Sequence, residues 1–169
     1  MVYSFRNSLD AWMQRILPAD LYVRAGGSGL TSYLDEPAQR AIAGVAGVAR
    51  ADFVRFQDIA LPGTGLPFTV IARPIDERDA GRILPLRRVD PVPAPPDTVP
   101  VWASEAALDL RGYDVGTVFD LPLGGGTVRA SVRGLWRDYE RPGGSVVMPR
   151  EVFVQMTGDT RATTAALWL

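Results

Sequence analysis

The stretch VPVWASEAALDLRGYDVGTVFDLPL, residues 99–123, sets out a strand, a helix and a second strand in close succession. VPVWAS predicts a short strand. Ser104 is suited to cap the helix EAALDL, and Gly112 is suited to end it. VGTVFDLPL predicts a strand that runs into the triple glycine at 124–126. This order of elements predicts an α+β fold.

The strand that returns from the triple glycine is predicted by TVRASVRGLWRDY, residues 127–139. Apolar and polar side chains alternate along it, which predicts one buried and one solvated face. The apolar set is Val128, Ala130 and Val132, and the polar set is Arg129, Ser131 and Arg133. The glycines of LGGGT could also cradle a phosphate, but such loops open a helix and usually carry Lys, which this sequence lacks. A hairpin turn is the better interpretation.

Helix and strand patterns follow one another along the rest of the chain. An apolar stripe of Phe5, Leu9, Trp12, Met13 and Ile16 predicts a helix over 4–17 that ends before Pro18. Further predicted elements are a buried strand at 21–25, a GGSG loop at 26–29, a helix from Asp35 to about Ala46, a hairpin of 49–61 and 68–75 around PGTG, a strand at 145–149, a short helix over 150–156 and a final strand at 163–169.

Between these patterns, residues 76–98 are charged and rich in proline, with no sustained period. We expect a connector there, partly extended or in polyproline form, that marks a boundary between two units.

Composition excludes several classes of function. The 169 residues carry 18 basic side chains, all Arg, against 19 acidic ones, so the basic excess of a nucleic-acid binder is absent. The sequence has no Cys and no His, which excludes disulfides, thiolate or imidazole metal sites, and Ser-His or Cys-His catalysis. The sequence predicts neither a transmembrane helix nor a signal peptide. We therefore expect a soluble fragment with no catalytic, cofactor or metal residues.

Two side-chain groups could still suggest a site. Asp138 and Glu140 could be paired carboxylates, but a solvated rim is the ordinary explanation in such Arg-rich sequence. The four tryptophans could line a ligand pocket, but core or subdomain-interface positions are commoner. These are Trp12, Trp102, Trp136 and Trp168.

The order of elements resembles that of a known family. The chain resembles the extracytoplasmic domain of FtsX-like ABC-transporter permeases of the MacB periplasmic core type. The resemblance lies in the order and spacing of five segments: MVYSFRNSLDAWMQRILPADLYVRA, GVARADFVRFQDIAL, VPVWASEAALDLRGYDVGTVFDLPL, VRASVRGLWRDY and SVVMPREVFVQMTGD. The resemblance covers nearly the whole chain. Its most telling part is the progression from Val101 to Tyr139.

The resemblance implies an α+β architecture of two subdomains. Residues 1–75 with 163–169 would form a porter-like β/α layer near the membrane, 76–98 the connector, and 99–160 an inserted Sabre-like subdomain. Residues 1–17 would be the protruding end of a transmembrane helix of an inner-membrane parent. In the family the last strand usually leads into another helix and strand, so we expect an exposed apolar edge, or pairing with a neighbouring molecule, near Leu169.

The resemblance also implies a mechanical and non-enzymatic function in the periplasm. A cytoplasmic ATPase subunit would move the transmembrane helices, and a coupling helix would pass the motion on to a periplasmic protein, lipid or lipoprotein substrate. Phe5, Leu9, Trp12 and Ile16 are the predicted coupling residues. Two alternatives stay open: a lipid- or ligand-binding module, which needs a deep apolar cleft, and a docking scaffold, for which Trp136, Arg137 and Tyr139 are the candidate surface.

Overall fold

The elements of the fold are taken from a computed structural model, which describes residues 6–11, 13, 17–26 and 32–169. Residues 6–11 and 13 are helical. The strands are β1 Leu21–Arg24, β2 Arg50–Ile59, β3 Phe68–Arg73, β4 Leu86–Val89, β5 Val99–Ser104, β6 Val118–Leu123, β7 Gly126–Trp136, β8 Ser145–Pro149 and β9 Thr164–Trp168. The helices that follow are α1 Glu36–Ala43, α2 Ala80–Ile83, α3 Glu105–Arg111 and α4 Arg150–Thr157. The predicted α+β class is confirmed.

All the described strands belong to one mixed sheet. Its order is β1-β9-β2-β3-β8-β5-β7-β4, and β6 pairs with β7 beside β4. The β3–β8 and β5–β7 pairs are parallel, and the others are antiparallel. The final strand β9 lies between β1 and β2, so it joins the strands of the first predicted unit. The division into two subdomains stays a prediction.

The predicted unit at 99–123 is confirmed in detail. Ser104 Oγ accepts hydrogen bonds from the backbone N–H of Ala107, at 3.2 Å, and of Ser145, at 3.0 Å. It therefore caps α3 and also ties that helix to the start of β8. Gly112 ends α3 at φ 71°, a left-handed conformation that favours glycine.

Two other predicted turns are confirmed. The antiparallel hairpin of β2 and β3 brings Arg55 opposite Ala72 and Ile59 opposite Phe68. The LGGGT sequence forms the turn between β6 and β7, with Gly124 at φ 58°. The glycine turn is thus no phosphate loop, since a strand and not a helix follows it.

The predicted helix after Asp35 begins as expected and ends earlier. The Asp35 carboxylate accepts a hydrogen bond from Ala38 N–H at 2.9 Å, and Pro37 occupies the first turn. The helix ends at Ala43 and not near Ala46, because glycine occupies the cap position that follows.

The sheet buries apolar side chains on both faces. On one face α3 and α4 cover a cluster that includes Phe68, Val101, Val146 and Phe153. On the other, α2 and β4 cover Ile71, Val147, Leu84, Trp102 and Trp136. A smaller cluster under α1 includes Leu34, Phe53, Ala165 and Leu167.

The connector prediction for 76–98 is wrong over its first half. Ala80 and Leu84 are buried, at 2% and 4% exposure, and β4 pairs with β7. The sequence hides this because α2 is too short to show a helical period and β4 carries two charged residues in four.

The solvated face predicted for β7 is also wrong in part. Ser131 and Arg133 are buried because segments pack against both faces of this strand. Arg133 extends from the strand to the Asp90 carboxylate, at 2.9 Å, and to Glu77, at 3.3 Å. Charge pairing of this kind lets an arginine occupy a buried strand position.

The strand predicted at 21–25 exists, but it is not buried. Leu21 and Tyr22 are 48% and 40% exposed, since β1 pairs on one side only with a described strand. Of the GGSG loop predicted at 26–29, residues 27–29 lie outside the described residues.

Candidate functional site

The first candidate site is the junction between the N-terminal helix and the sheet. Of the predicted coupling residues, Phe5, Trp12 and Ile16 lie outside the described residues. Leu9 is described and is 37% exposed. The packing of the coupling stripe therefore stays a prediction.

The segment that joins this helix to β1 is fixed by four hydrogen bonds. Leu17 N–H donates to Met13 O at 2.7 Å, and Ala19 N–H donates to the Tyr22 hydroxyl at 3.0 Å. Asp20 N–H donates to Leu167 O at 2.9 Å, and the Asp20 carboxylate accepts from Leu169 N–H at 2.9 Å. The bonds of Asp20 therefore anchor the segment to β9 and to Leu169, which follows it.

Sequence reasoning missed Asp20 and Tyr22 at this junction. The available signal was their position directly after Pro18, where a turn into the strand needs local side-chain hydrogen bonds. Partial burial raises the pKa of Tyr22 above its ordinary value, and the hydroxyl oxygen accepts the Ala19 N–H.

The second candidate site is the predicted partner surface, of which the structure buries one residue and leaves the other two accessible. Trp136 is only 4% exposed, and its Nε1 donates to Trp102 O at 3.2 Å. A partner could therefore reach Arg137 and Tyr139 but not the Trp136 ring. Tyr139 is 61% exposed.

A charged network orients Arg137 at this surface. Its Nε donates to Glu105 Oε2 at 2.9 Å and its Nη1 donates to the Tyr139 hydroxyl at 3.2 Å. Arg87 approaches the same Glu105 carboxylate at 3.7 Å. The bond from Glu105 raises the pKa of Arg137, which keeps the guanidinium charged. Arginine and tyrosine are residue types enriched in surfaces that bind protein partners.

The prediction that Asp138 and Glu140 form a solvent-exposed rim is confirmed only for Glu140. Glu140 is 62% exposed, whereas the Asp138 side chain is 1% exposed. Asp138 accepts from Ser145 Oγ at 2.8 Å and pairs with Arg141 at 3.1 Å. Its carboxylate is thus committed to holding the 138–145 loop against β8.

Two clefts in the described part of the chain are open to solvent and lined by both apolar and polar residues. One of about 440 Å³ is lined by Ile75, Asp76, Glu77, Arg78, Pro100, Pro149, Glu151 and Val152. A second of about 280 Å³ lies beside α1. Neither resembles the deep apolar cleft expected of a lipid carrier.

Among the described residues, no group of three or more Asp and Glu side chains is placed to hold a metal ion. Their helices also include none with the length and hydropathy needed to cross a bilayer.

Comparison with solved structures identifies the fold. The extracellular domain of the noncanonic ABC-type transporter YknZ from Gram-positive bacteria aligns over 86% of this chain and 80% of its own, with a TM-score of 0.52 and 12% identity. The periplasmic region of MacB from Actinobacillus actinomycetemcomitans aligns over 88% of this chain and 72% of its own, with a TM-score of 0.55 and 11% identity. The fold is that of these two extracytoplasmic domains.

The resemblance inferred from the sequence is therefore confirmed at the level of fold. No protein-family model matches the chain, and no curated protein matches it. At such low identity the shared feature is the fold.

Proposed function

We propose that this chain is the extracytoplasmic domain of an ABC-transporter permease, located in the periplasm as part of an inner-membrane protein. The observation that carries the proposal is the shared fold with the YknZ and MacB domains over most of the chain. A cytoplasmic ATPase subunit would be the partner through the parent permease. The domain itself would perform no chemistry.

The mechanical part of the proposal rests on the junction at residues 17–22. Motion of the N-terminal helix along its axis pulls on Asp20, whose backbone and carboxylate both bond to the β9 segment. Because β9 lies between β1 and β2, the force is distributed over three strands. Close-packed interiors transmit such displacements with little compression. The domain thereby converts helix motion into motion acting on a periplasmic protein, lipid or lipoprotein.

The first test of the proposal is the full-length reading frame. We expect hydrophobic spans on both sides of these residues and an ATPase gene beside the frame. A full-length product without such spans would contradict the proposal.

The second test addresses coupling in the full-length parent, reconstituted with its ATPase in lipid vesicles. Trp12→Ala and Asp20→Ala should both lower transport-linked ATP turnover severalfold, because Trp12 is a predicted coupling residue and the Asp20 carboxylate bonds the segment after the helix to Leu169. Glu140→Ala is the control, since this exposed side chain lies away from the junction. Normal coupling in folded Trp12→Ala and Asp20→Ala proteins would contradict the mechanical role.

A docking scaffold is the second candidate, and the exposed Tyr139 ring beside the Arg137–Glu105 pair favours it. Tyrosine and arginine are enriched where protein partners bind. In the reconstituted parent, Tyr139→Ala should then abolish capture of the periplasmic partner while ATP turnover persists. This result separates docking from coupling, in which turnover itself falls.

A further inference from the structure

The loop between β4 and β5 exposes a row of prolines. Its residues 91–96 have the sequence PVPAPP and are called the proline segment below. Five of the six residues are exposed, and Ala94 is partly buried. The strands on either side of the segment, β4 and β5, both pair with β7. The segment therefore connects two strands that flank a third, and the need for a linker between separately packed units does not explain its prolines.

The sequence of the proline segment restricts its backbone to extended conformations. Proline fixes φ at about −65°, and the residue before a proline is kept out of the helical region. Val92 and Ala94 each precede a proline, so every residue of the segment is under one of these restrictions. The structure has neither helix nor strand here, and Asp97, at φ 60°, turns the chain after the segment. Such a sequence favours the polyproline II helix.

The exposed side chains of the segment form a continuous ridge. A polyproline II helix has three residues per turn, so residues three apart lie on the same edge. Pro93 and Pro96 share one edge, and Val92 and Pro95 share the next. All four are exposed, whereas Ala94 on the third edge is partly buried. The ridge thus presents two apolar pairs, Val92-Pro93 and Pro95-Pro96, one turn apart.

Hydrogen bonds from the body of the protein hold the backbone of the proline segment in place. Arg133 is 5% exposed, and its guanidinium donates to Val92 O at 2.7 Å and to the Asp90 carboxylate at 2.9 Å. The Thr98 hydroxyl donates to Pro95 O at 2.7 Å. A segment that is already ordered loses little conformational entropy when a partner binds it.

We propose that the proline segment is the binding site for a partner protein with a groove lined by aromatic side chains. Grooves of this kind recognise PxxP sequences in the polyproline II conformation, and Pro93 and Pro96 have that spacing. Their rings pack against the aromatic faces, while tyrosine hydroxyls and tryptophan N–H groups of the groove donate to carbonyl oxygens of the segment. The site does not depend on the transport role, so either proposal can fail without the other.

The contact is small, and the expected affinity is correspondingly weak. Six residues bury less than the roughly 1,200 Å² typical of stable protein complexes. We expect a dissociation constant on the order of 100 µM.

Nuclear magnetic resonance tests the proposal by titrating the isotopically labelled chain with isolated SH3 and WW domains, at up to about 1 mM of each. These domains are probes of the stated chemistry, because their grooves are lined by aromatic side chains that bind proline-rich sequences. Prolines have no N–H, so the amides of Val92, Ala94 and Asp97 are the reporters within and beside the segment. We expect at least one probe domain to shift these signals.

Proline substitutions test whether the ridge itself is recognised. The double variant P93A/P96A should weaken binding about tenfold or more, because it removes both rings from one edge. The control is P62A/P142A, which replaces two exposed prolines in other loops and should leave binding unchanged. The spectrum of each variant, away from its substitutions, shows whether the fold is retained.

A chain that binds none of the probe domains at about 1 mM would overturn the proposal. Binding that persists at full strength in folded P93A/P96A, or that shifts signals only outside residues 88–98, would also overturn it, because the contact would lie elsewhere. Binding that is lost in P93A/P96A and retained in P62A/P142A supports it.

Discussion

Ser104 shows how much one side chain contributes to this fold. Its hydroxyl accepts two buried backbone N–H groups, one at the start of α3 and one at the start of β8. A helix cap is a local feature that sequence can predict, whereas the second bond joins residues 41 positions apart. The residue was therefore predictable as a cap but not as a link between two elements.

Ser104→Ala should lower the free energy of unfolding by about 2–3 kcal/mol, because it removes a helix cap and leaves a second buried N–H without a partner. Asp35→Ala is the matched control: it removes the exposed cap of α1, which has a single bond, and should cost about 1 kcal/mol. Urea unfolding of the three proteins measures both values. Equal costs would show that the Ser145 bond contributes nothing.

The lowered pKa of Asp159 predicts that the stability of the fold depends on pH. Its carboxylate accepts two bonds from Arg161 at 2.9 Å and one from the buried Arg55 at 3.1 Å, and the bond from Arg161 contributes most to lowering the pKa of Asp159. A lowered pKa in the folded state stabilises the fold above the unfolded value near 3.8, and this contribution is lost as the pH falls below it.

Asp159→Asn should therefore destabilise the chain by about 2 kcal/mol at pH 7, and the difference from the original should shrink below about pH 4. Urea unfolding at several pH values measures this. Glu140→Gln changes the same charge at an exposed position and should alter stability at pH 7 by less than about 0.5 kcal/mol. A constant difference between Asp159→Asn and the original at all pH values would contradict the assignment.

At the scale of elements, the segment of α2 and β4 is the one that sequence reasoning mistook for a connector. Charged residues and prolines make up most of residues 76–98 around it, but Ala80 and Leu84 close the cluster around Trp102 and Trp136. The helix spans four residues, which is too few for a periodic pattern to be recognised. What holds the segment in place is a tertiary contact that no local signal encodes.

Leu84→Ala should cost about 2–4 kcal/mol, because it opens a cavity in a cluster that cannot easily collapse. Val89→Ala in the adjoining β4 is the control and should be nearly neutral, since Val89 is 61% exposed. Thermal and urea unfolding both report the difference. A neutral Leu84→Ala would restore the original interpretation of a connector.

At the scale of the whole molecule, one sheet spans both predicted subdomains. The parallel pairing of β3 with β8 joins strands from the two predicted units, from Thr69 opposite Ser145 to Arg73 opposite Pro149. Sequence patterns predicted the described strands other than β4, and the local hairpins. They could not predict this pairing, because the choice of partner between distant strands depends on the assembled core.

Since the sheet is continuous, we expect the molecule to unfold in a single cooperative transition in urea. Trp12→Phe with Trp168→Phe leaves Trp102 and Trp136 as the fluorescent reporters of the central cluster. Their transition should coincide with that of far-ultraviolet circular dichroism, which reports the whole fold. Two separated transitions would instead support independent subdomains.

The bond between Asp20 and Leu169 bears on whether this fold can be inserted into another protein. The start of β1 and the end of β9 lie at the same corner of the sheet, within hydrogen-bonding distance. Segments whose two ends lie close together tolerate transplantation into surface loops of other proteins. Residues 18–169 could thus be grafted as a cassette into a fluorescent host, giving a reporter whose two attachment points move apart only when β1 separates from β9.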